Sequence, residues 1–199
     1  RPMCKRRCQY PHSHRRMWYH RLAEHTSMFR PRKRQHRGTE PMGGCLYGLE
    51  ALGAMRIEKG HVTGAELDGR VTIEDAGLGR MASSKKSYIG SALRKRPELI
   101  REDRPRLVGI FPRDRHETFN AGAILCDADA VQGFGDGWIS GVTHSPELGH
   151  WIGLGFIAGG LEAWQGKSVV AADPVRKSDV AVESVSSHMV DPDGERLYG

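Results

Sequence analysis

Four potential metal ligands near the start of the chain are the first residues whose spacing could support chemistry. Cys4-x3-Cys8 is followed by His20-x4-His25, and two thiolates with two imidazoles suit tetrahedral zinc. The gap between Cys8 and His20 is one residue shorter than in the usual zinc finger, and nearby histidines offer competing ligands. We therefore interpret the stretch as a basic tail and assign no metal site.

Nucleophilic or acid–base catalysis has weak support in this sequence. His144 and Ser145 are adjacent, but neighbouring residues at a strand end point to opposite faces, so the pair does not form a hydrolase dyad. Cys126 lies in an apolar run and is interpreted as a buried strand thiol. His188 and Asp191 are interpreted as surface or capping residues. We assign no catalytic residue.

A carboxylate at the end of a helix is the stronger candidate. Leu49, Leu52 and Met55 recur at three-residue spacing, which predicts an amphipathic helix that buries these three side chains and ends near Gly60. Glu58 sits beside that glycine, where a side chain can leave the core and face a pocket. It is the charged residue of this helix that we interpret as functional.

The elements that must position such a side chain change character along the chain. Thr72 is predicted to cap a short helix, and a second helix is predicted over 88–96, ended by Pro97. Short apolar runs bounded by Gly, Pro, Asp or Asn then predict six strands: 107–111, 123–126, 138–143, 151–157, 168–172 and 180–185. The predicted fold class is α+β, with a small antiparallel β-barrel or sandwich at the end.

Charge is distributed unevenly over the 199 residues. Of the 30 Lys and Arg residues, 12 fall in residues 1–46, and the remainder of the chain is mildly acidic despite a net charge of +6. We expect 1–46 to be disordered or not native sequence, as a misread upstream frame would be. A nucleic-acid-binding function could apply only to this leader, and we expect none. No apolar run approaches the roughly 18 residues that a membrane-spanning helix needs, which argues against a membrane span. The single cysteine after residue 46 suits the reducing cytoplasm.

Several segments after residue 46 resemble the folate-binding aminomethyltransferase family, which includes the glycine-cleavage T-protein. The matching segments are Tyr47-Gly48-Leu49-Glu50-Ala51-Leu52-Gly53, Arg56-Ile57-Glu58-Lys59-Gly60, 71–79, 85–90, 107–109 and 145–149. The Arg-Ile-Glu-Lys-Gly form, with 173–176 and 190–197, resembles the end of sarcosine oxidase α subunits. The resemblance covers nearly all of 47–199 in order and does not extend into 1–46.

The resemblance implies a domain organisation and a set of cofactors. Residues 47–103 would be the C-terminal remnant of a partial α/β folate-binding region, and 104–199 would be the T-protein-type antiparallel β-barrel. Tetrahydrofolate would be the ligand of this chain. FAD, FMN and NAD would be present in the complete heterotetramer, whose flavin-carrying β, γ and δ subunits would be partners, but would not be bound here.

The implied reaction is the conversion of a sarcosine-derived imine to glycine and 5,10-methylenetetrahydrofolate. By family analogy Glu58 would receive the N–H groups of the pterin ring, since a carboxylate pairs well with two parallel donors. Lys86, with Lys85 as the second choice, would lie near the anionic glutamyl tail. The family's catalytic Asp lies in a preceding half with no counterpart here, so we expect the chain alone to be inactive.

Three other functions are left open. Within the enzyme class the chain could belong to a glycine-cleavage T-protein or to a dimethylglycine-oxidising relative. From a different class, the basic Cys/His leader could bind nucleic acid. The chain could also be a folate-binding or structural fragment without activity.

Overall fold

The computed structural model describes residues 47–129 and 135–198. From residue 52 onward the chain forms one compact unit, and the contacts discussed below lie within it. The predictions of a disordered leader and of a possible zinc or nucleic-acid site concern residues 1–46 and lie outside the described residues. The domain boundaries at 46 and 103 stay predictions.

Helix α1, Leu49–Lys59, matches the predicted helix, but the prediction of its buried face was wrong. Leu49 and Leu52 are exposed, whereas Ala54, Ile57 and Glu58 are buried. The buried positions repeat at the same spacing, so the pattern predicted the period of the helix but not the face that it buries.

The segment between α1 and the first strand contains turns and no α-helix among its described residues. The predicted cap at Thr72 forms: its hydroxyl accepts the Asp75 N–H (3.2 Å), and the Asp75 carboxylate accepts the Thr72 N–H (2.9 Å). Only an isolated turn follows. The prediction of a helix over 88–96 was wrong, because that stretch forms only one 3-10 turn, Leu93–Lys95. Two more 3-10 turns, Gly79–Met81 and Pro97–Leu99, lie before and after it.

Six antiparallel strands close into a barrel, which confirms the predicted barrel and all six predicted strands. The strands are β1 Pro105–Pro112, β2 Ile124–Asp127, β3 Gly137–His144, β4 Trp151–Ala158, β5 Val169–Asp173 and β6 Ser178–Val185. Their order around the barrel is β1-β4-β3-β2-β5-β6, and β6 pairs with β1 to close it. Two short helices, α2 Gly160–Trp164 and α3 Glu195–Tyr198, complete the described elements.

Strand β4 is buried on both faces and connects the barrel to α1. One face lies in the barrel core, where Gly153 and Gly155 allow close packing: a Cβ at Gly155 would lie 2.7 Å from the Trp138 carbonyl oxygen. The other face carries Ile152 and Leu154, which pack against Ile57 of α1. Each such buried aliphatic side chain contributes about 1.5–3 kcal/mol. This contact fixes the C-terminal end of α1 on the barrel.

No helix among the described residues has both the length and the apolar character that crossing a membrane would require.

Candidate functional site

The end of α1 is held by the segment that follows β6. The Glu58 carbonyl oxygen accepts two backbone hydrogen bonds, from the N–H groups of Met189 and Val190, both 3.0 Å long. Gly60 ends the helix at φ +72°, and a Cβ there would lie 2.5 Å from the Ser187 carbonyl oxygen. A side chain at position 60 is therefore excluded both by the left-handed backbone and by this contact. The two features together determine where the Glu58 side chain starts.

The Glu58 carboxyl group is fully buried and only half satisfied. Its exposure is 0%. The Ser145 hydroxyl donates a hydrogen bond to Oε1, whereas Oε2 has no hydrogen-bond partner among the described residues. Burial raises the pKa of Glu58, and the hydrogen bond from Ser145 opposes that rise. The backbone N–H of Glu147 is directed at the carboxyl group and also lowers the pKa of Glu58, but it does not reach hydrogen-bonding geometry with Oε2.

A second buried carboxylate, Glu66, shows what a satisfied site looks like in the same chain. Its exposure is also 0%. Oε1 accepts from Ser140 (2.7 Å), Oε2 accepts from the backbone and hydroxyl of Thr63 (2.7 and 3.0 Å), and Arg56 lies 3.1 Å from both oxygens. Burial alone would raise the pKa of Glu66, but these partners together lower it. Glu66 is thus a structural anchor between α1 and β3 with both oxygens satisfied, whereas Glu58 has one carboxyl oxygen without a partner among the described residues.

Charged residues of the C-terminal segment surround the Glu58 site. Lys59 donates to the Asp191 carbonyl and lies 3.1 Å from its carboxylate. Arg196 pairs with Glu147 at 2.7 Å, so the segment is tied both to α1 and to the β3–β4 loop. Asp191 therefore serves as an ion-pair partner of Lys59.

Lys85 and Lys86, the predicted tail-binding residues, lie in an exposed loop. Their backbone N–H groups donate to the Ser83 hydroxyl at 3.1 and 3.2 Å, which makes a tight polar turn. Both side chains are exposed, and neither forms an ion pair or side-chain hydrogen bond with another residue of 47–129 or 135–198. The geometry joins Glu58 to Ser145, and it shows no contact between either lysine and Glu58.

The alternative chemistries weighed from the sequence find no geometric support in the described residues. The His144 ring packs edge-on against Trp151, at 5.8 Å between centroids, while the Ser145 hydroxyl is directed to Glu58. Cys126 is a free, buried thiol whose pKa is raised by burial. No cluster of three or more His, Cys, Asp or Glu side chains that could hold a metal ion occurs in these residues.

Sequence reasoning missed Glu66 and the partnership between Glu58 and Ser145. Glu66 is followed by Leu67 and Asp68 in a polar stretch, with no pattern that distinguishes a buried acid from a surface one. Ser145 did lie in a segment that matched the aminomethyltransferase pattern, but its role depends on a residue 87 positions away. Only the packing of α1 on β4 brings the two together.

Three curated proteins that are similar to this chain in sequence all carry the same name, sarcosine oxidase subunit alpha. The chain is 32% identical over 155 residues to sarcosine oxidase subunit alpha of Rhizobium meliloti (76% of this chain). It is 35% and 34% identical over 158 residues (77% of this chain) to the proteins of the same name from two Corynebacterium strains, U-96 and P-1. The chain spans only 16% of the length of these relatives. No profile of a known protein family matches it.

A solved structure shares the fold. The glycine cleavage system aminomethyltransferase T from Bartonella henselae superposes with a TM-score of 0.57 and 24% identity, over 73% of this chain and 40% of that one. The predicted combination of aminomethyltransferase-like fold and sarcosine oxidase sequence is confirmed. The chain is a homologue of the sarcosine oxidase α subunit over about three quarters of its own length, and it has the aminomethyltransferase fold.

Proposed function

We propose that this chain is the C-terminal, tetrahydrofolate-binding part of a sarcosine oxidase α subunit. The observation that carries the proposal is the unpartnered Oε2 of Glu58, a fully buried carboxyl oxygen in a region homologous to that subunit. Buried polar atoms are almost always hydrogen-bonded in folded proteins. An exception at the position expected to bind a ligand is best explained by a ligand that supplies the missing donor.

A reduced pterin has the donors that this oxygen needs. Its aminopyrimidinone edge presents two parallel N–H groups, and an ionised carboxylate accepts such a pair with strong, charge-assisted hydrogen bonds. Oε1 retains an accepting lone pair beside Ser145, and Oε2 is open. Because Glu58 is enclosed in this conformation, the residues around the carboxyl must move apart as the ring enters.

Tetrahydrofolate would supply the acceptor for a one-carbon unit, and the residues of this chain would bind and orient it. Reaction with a sarcosine-derived imine would give glycine and 5,10-methylenetetrahydrofolate. Glu58 holds the end of the pterin that does not react, so we assign it to binding and assign no catalytic residue. FAD, FMN and NAD, and the β, γ and δ subunits, belong in this proposal to the complete enzyme.

Lys86 and Lys85 remain the proposed contacts for the anionic glutamyl tail of folate. The ammonium groups are exposed and form no ion pair with the residues that the structure describes, in a turn held by Ser83. This supports the role, since such groups attract carboxylates without first breaking an ion pair. Their attraction is expected to be weak and screened by salt. Charge reversal at both positions should therefore lower folate affinity modestly, and less so at high salt.

Aminomethyl transfer of the glycine-cleavage type is the second candidate function. It is favoured by the fold shared with the aminomethyltransferase from Bartonella henselae. The two candidates use the same folate site and differ in the protein that delivers the one-carbon unit. Binding of a flavin-carrying subunit favours the first, and binding of a lipoyl carrier protein favours the second.

Calorimetric titration with tetrahydrofolate under anaerobic conditions tests the proposed ligand. The purified chain should bind it, and Glu58→Gln should weaken binding by about tenfold to a hundredfold, the effect of losing hydrogen bonds to a charged group. Glu147→Gln, which changes a neighbouring exposed acid, is the matched control and should bind nearly as well as the unchanged chain. No binding to the unchanged chain, or equal binding by Glu58→Gln, would contradict the proposal.

Turnover provides a separate test. We expect the purified chain to produce no glycine or methylenetetrahydrofolate from sarcosine, because the implied catalytic half is not among its matched segments. Measurable sarcosine-dependent or glycine-dependent turnover by this chain alone would show that it contains catalytic residues that we have not assigned.

A further inference from the structure

Ser145 lies in the turn between β3 and β4, and each of its own polar groups has a hydrogen-bond partner. Its backbone N–H donates to the His150 carbonyl oxygen, and its carbonyl oxygen accepts from the Gly149 N–H, both at 2.9 Å. The residue itself is fully buried. The connection between β3 and β4 therefore holds the serine in one position, with little freedom for its side chain.

The hydroxyl group of Ser145 is constrained as well. Its oxygen accepts a hydrogen bond from the Leu148 N–H at 3.0 Å, so that bond uses a lone pair and leaves the single hydroxyl proton to be donated elsewhere. The acceptor within reach is Oε1 of Glu58. While Glu58 is ionised, the hydrogen bond therefore runs from the Ser145 hydroxyl to the carboxylate of Glu58.

A fixed donor on one carboxyl oxygen makes the two oxygens of Glu58 unequal. While Glu58 is ionised, Oε1 accepts the hydroxyl proton of Ser145 and Oε2 is the acceptor without a partner among the described residues. Glu66 lacks this inequality, although Ser140 donates to its Oε1 in the same way, because Thr63 and Arg56 fill its Oε2. The serine–glutamate pair is thus poised for a ligand only at Glu58.

We propose that Ser145 is a positioning residue: by donating to Oε1, it keeps Oε2 of Glu58, which has no partner among the described residues, available as an acceptor and directs the site toward ligands that bring N–H donors. This inference rests on the proposed folate site and adds to it a residue that does not itself contact the pterin. A ligand that presents a carbonyl oxygen at this point would face the same oxygen and be repelled while Glu58 is ionised.

The charges near the carboxyl determine how Ser145 can be tested by pH. Glu147, on the β3–β4 loop, disfavours ionisation of Glu58, and Arg196, beyond β6, favours it. Lys59 on α1 is already paired with Asp191. None of these residues is altered by a change at Ser145, so a shift in the titration of Glu58 would report the lost hydrogen bond.

The experiment combines a ¹³C NMR titration of the Glu58 carboxyl carbon with calorimetric tetrahydrofolate binding. Ser145→Ala should raise the pH at which Glu58 ionises, and should weaken folate binding at neutral pH by about tenfold or more. Ser145→Thr, which keeps the hydroxyl group, should restore both. Ser145→Cys keeps the shape with a weak donor and should change both in the direction of alanine, which covers the case in which alanine prevents folding.

Ser140→Ala is the matched control, because it removes the same kind of hydrogen bond at Glu66. It should lower stability while leaving the Glu58 titration and folate binding unchanged. If Ser145→Ala or Ser145→Cys leaves the Glu58 titration as it is, the inference is overturned. Failure of the unchanged chain to bind folate would instead refute the proposed function, and the NMR titration would still decide whether Ser145 controls the carboxyl group.

Discussion

Replacing Glu58 by glutamine should make the protein more stable at neutral pH, although it removes a residue that we propose to be functional. The substitution keeps the shape and the acceptor for the Ser145 hydroxyl, and it abolishes the charge. In the unchanged chain the ionised carboxylate has an exposure of 0% and one oxygen without a partner. A buried unsatisfied polar group costs about 1–3 kcal/mol, and more when it is charged.

The pH dependence has a definite sign. Because burial raises the pKa of Glu58 above its ordinary value of 4.5, the folded state binds the proton more tightly than the unfolded chain. The stability from this group is fully present below about pH 4.5, and it is lost as pH rises through the folded-state pKa. Glu58→Gln should therefore match the unchanged chain in acid and exceed it by about 1–3 kcal/mol at neutral pH.

Urea unfolding measured over a series of pH values tests this expectation, and Glu66 provides the opposite control. The pKa of Glu66 is lowered, so its stabilisation is present above pH 4.5 and is lost as pH falls. Glu66→Gln should lower the free energy of unfolding by about 3 kcal/mol at neutral pH. Breaking a fully buried ion pair costs about 3–5 kcal/mol, and the lower value is expected here because the Arg56 side chain is 19% exposed. The two difference curves should slope in opposite directions.

A result in which Glu58→Gln is less stable than the unchanged chain at neutral pH would refute this reasoning. It would mean that the ionised carboxylate is stabilised in the folded chain, so that Oε2 has a partner after all. A difference that does not vary with pH would refute it equally, because it would show that Glu58 titrates alike in the folded and unfolded states.

The remaining predictions concern the contacts that position the site. Placing alanine in the left-handed backbone region costs about 1–3 kcal/mol of strain. Gly60→Ala should lower the free energy of unfolding by more than this, because its Cβ would also overlap the Ser187 carbonyl oxygen. Gly77→Ala, at φ +74° with nothing within 4 Å of its Cβ, should cost only the strain. Equal losses in denaturant titrations would contradict the contact. Asp75→Asn should cost about 1–3 kcal/mol at pH 7 by weakening the 2.5 Å pair with Arg104. Although burial opposes it, hydrogen bonds from Arg104 and Thr72 lower the pKa of Asp75, so the cost should shrink as pH falls through the folded-state pKa. A loss that persists in acid would show that the charge is not responsible.

The barrel could be predicted from the sequence because each of its strands is a local pattern. Short apolar runs bounded by turn residues predicted all six strands, and their spacing predicted an antiparallel barrel or sandwich. The structure shows which of the two forms, a closed barrel. The aminomethyltransferase-like segments predicted the fold that this chain shares with the solved aminomethyltransferase structure. Local patterns were less reliable where the side chains are not buried. The helix predicted over 88–96 is an example: this stretch forms one 3-10 turn, Leu93–Lys95, which has no buried residue.

The amino-acid sequence determined that Glu58 lies at the end of a helix, two residues before Gly60, which ends it. Only the tertiary structure decided that this glutamate is buried and that its partner is Ser145. The period of α1 is a property of the chain, but its phase depends on which face fits against Ile152 and Leu154 of β4. Burial and partnership depend on side chains 87 positions apart in the chain, and no local pattern records the distance between them.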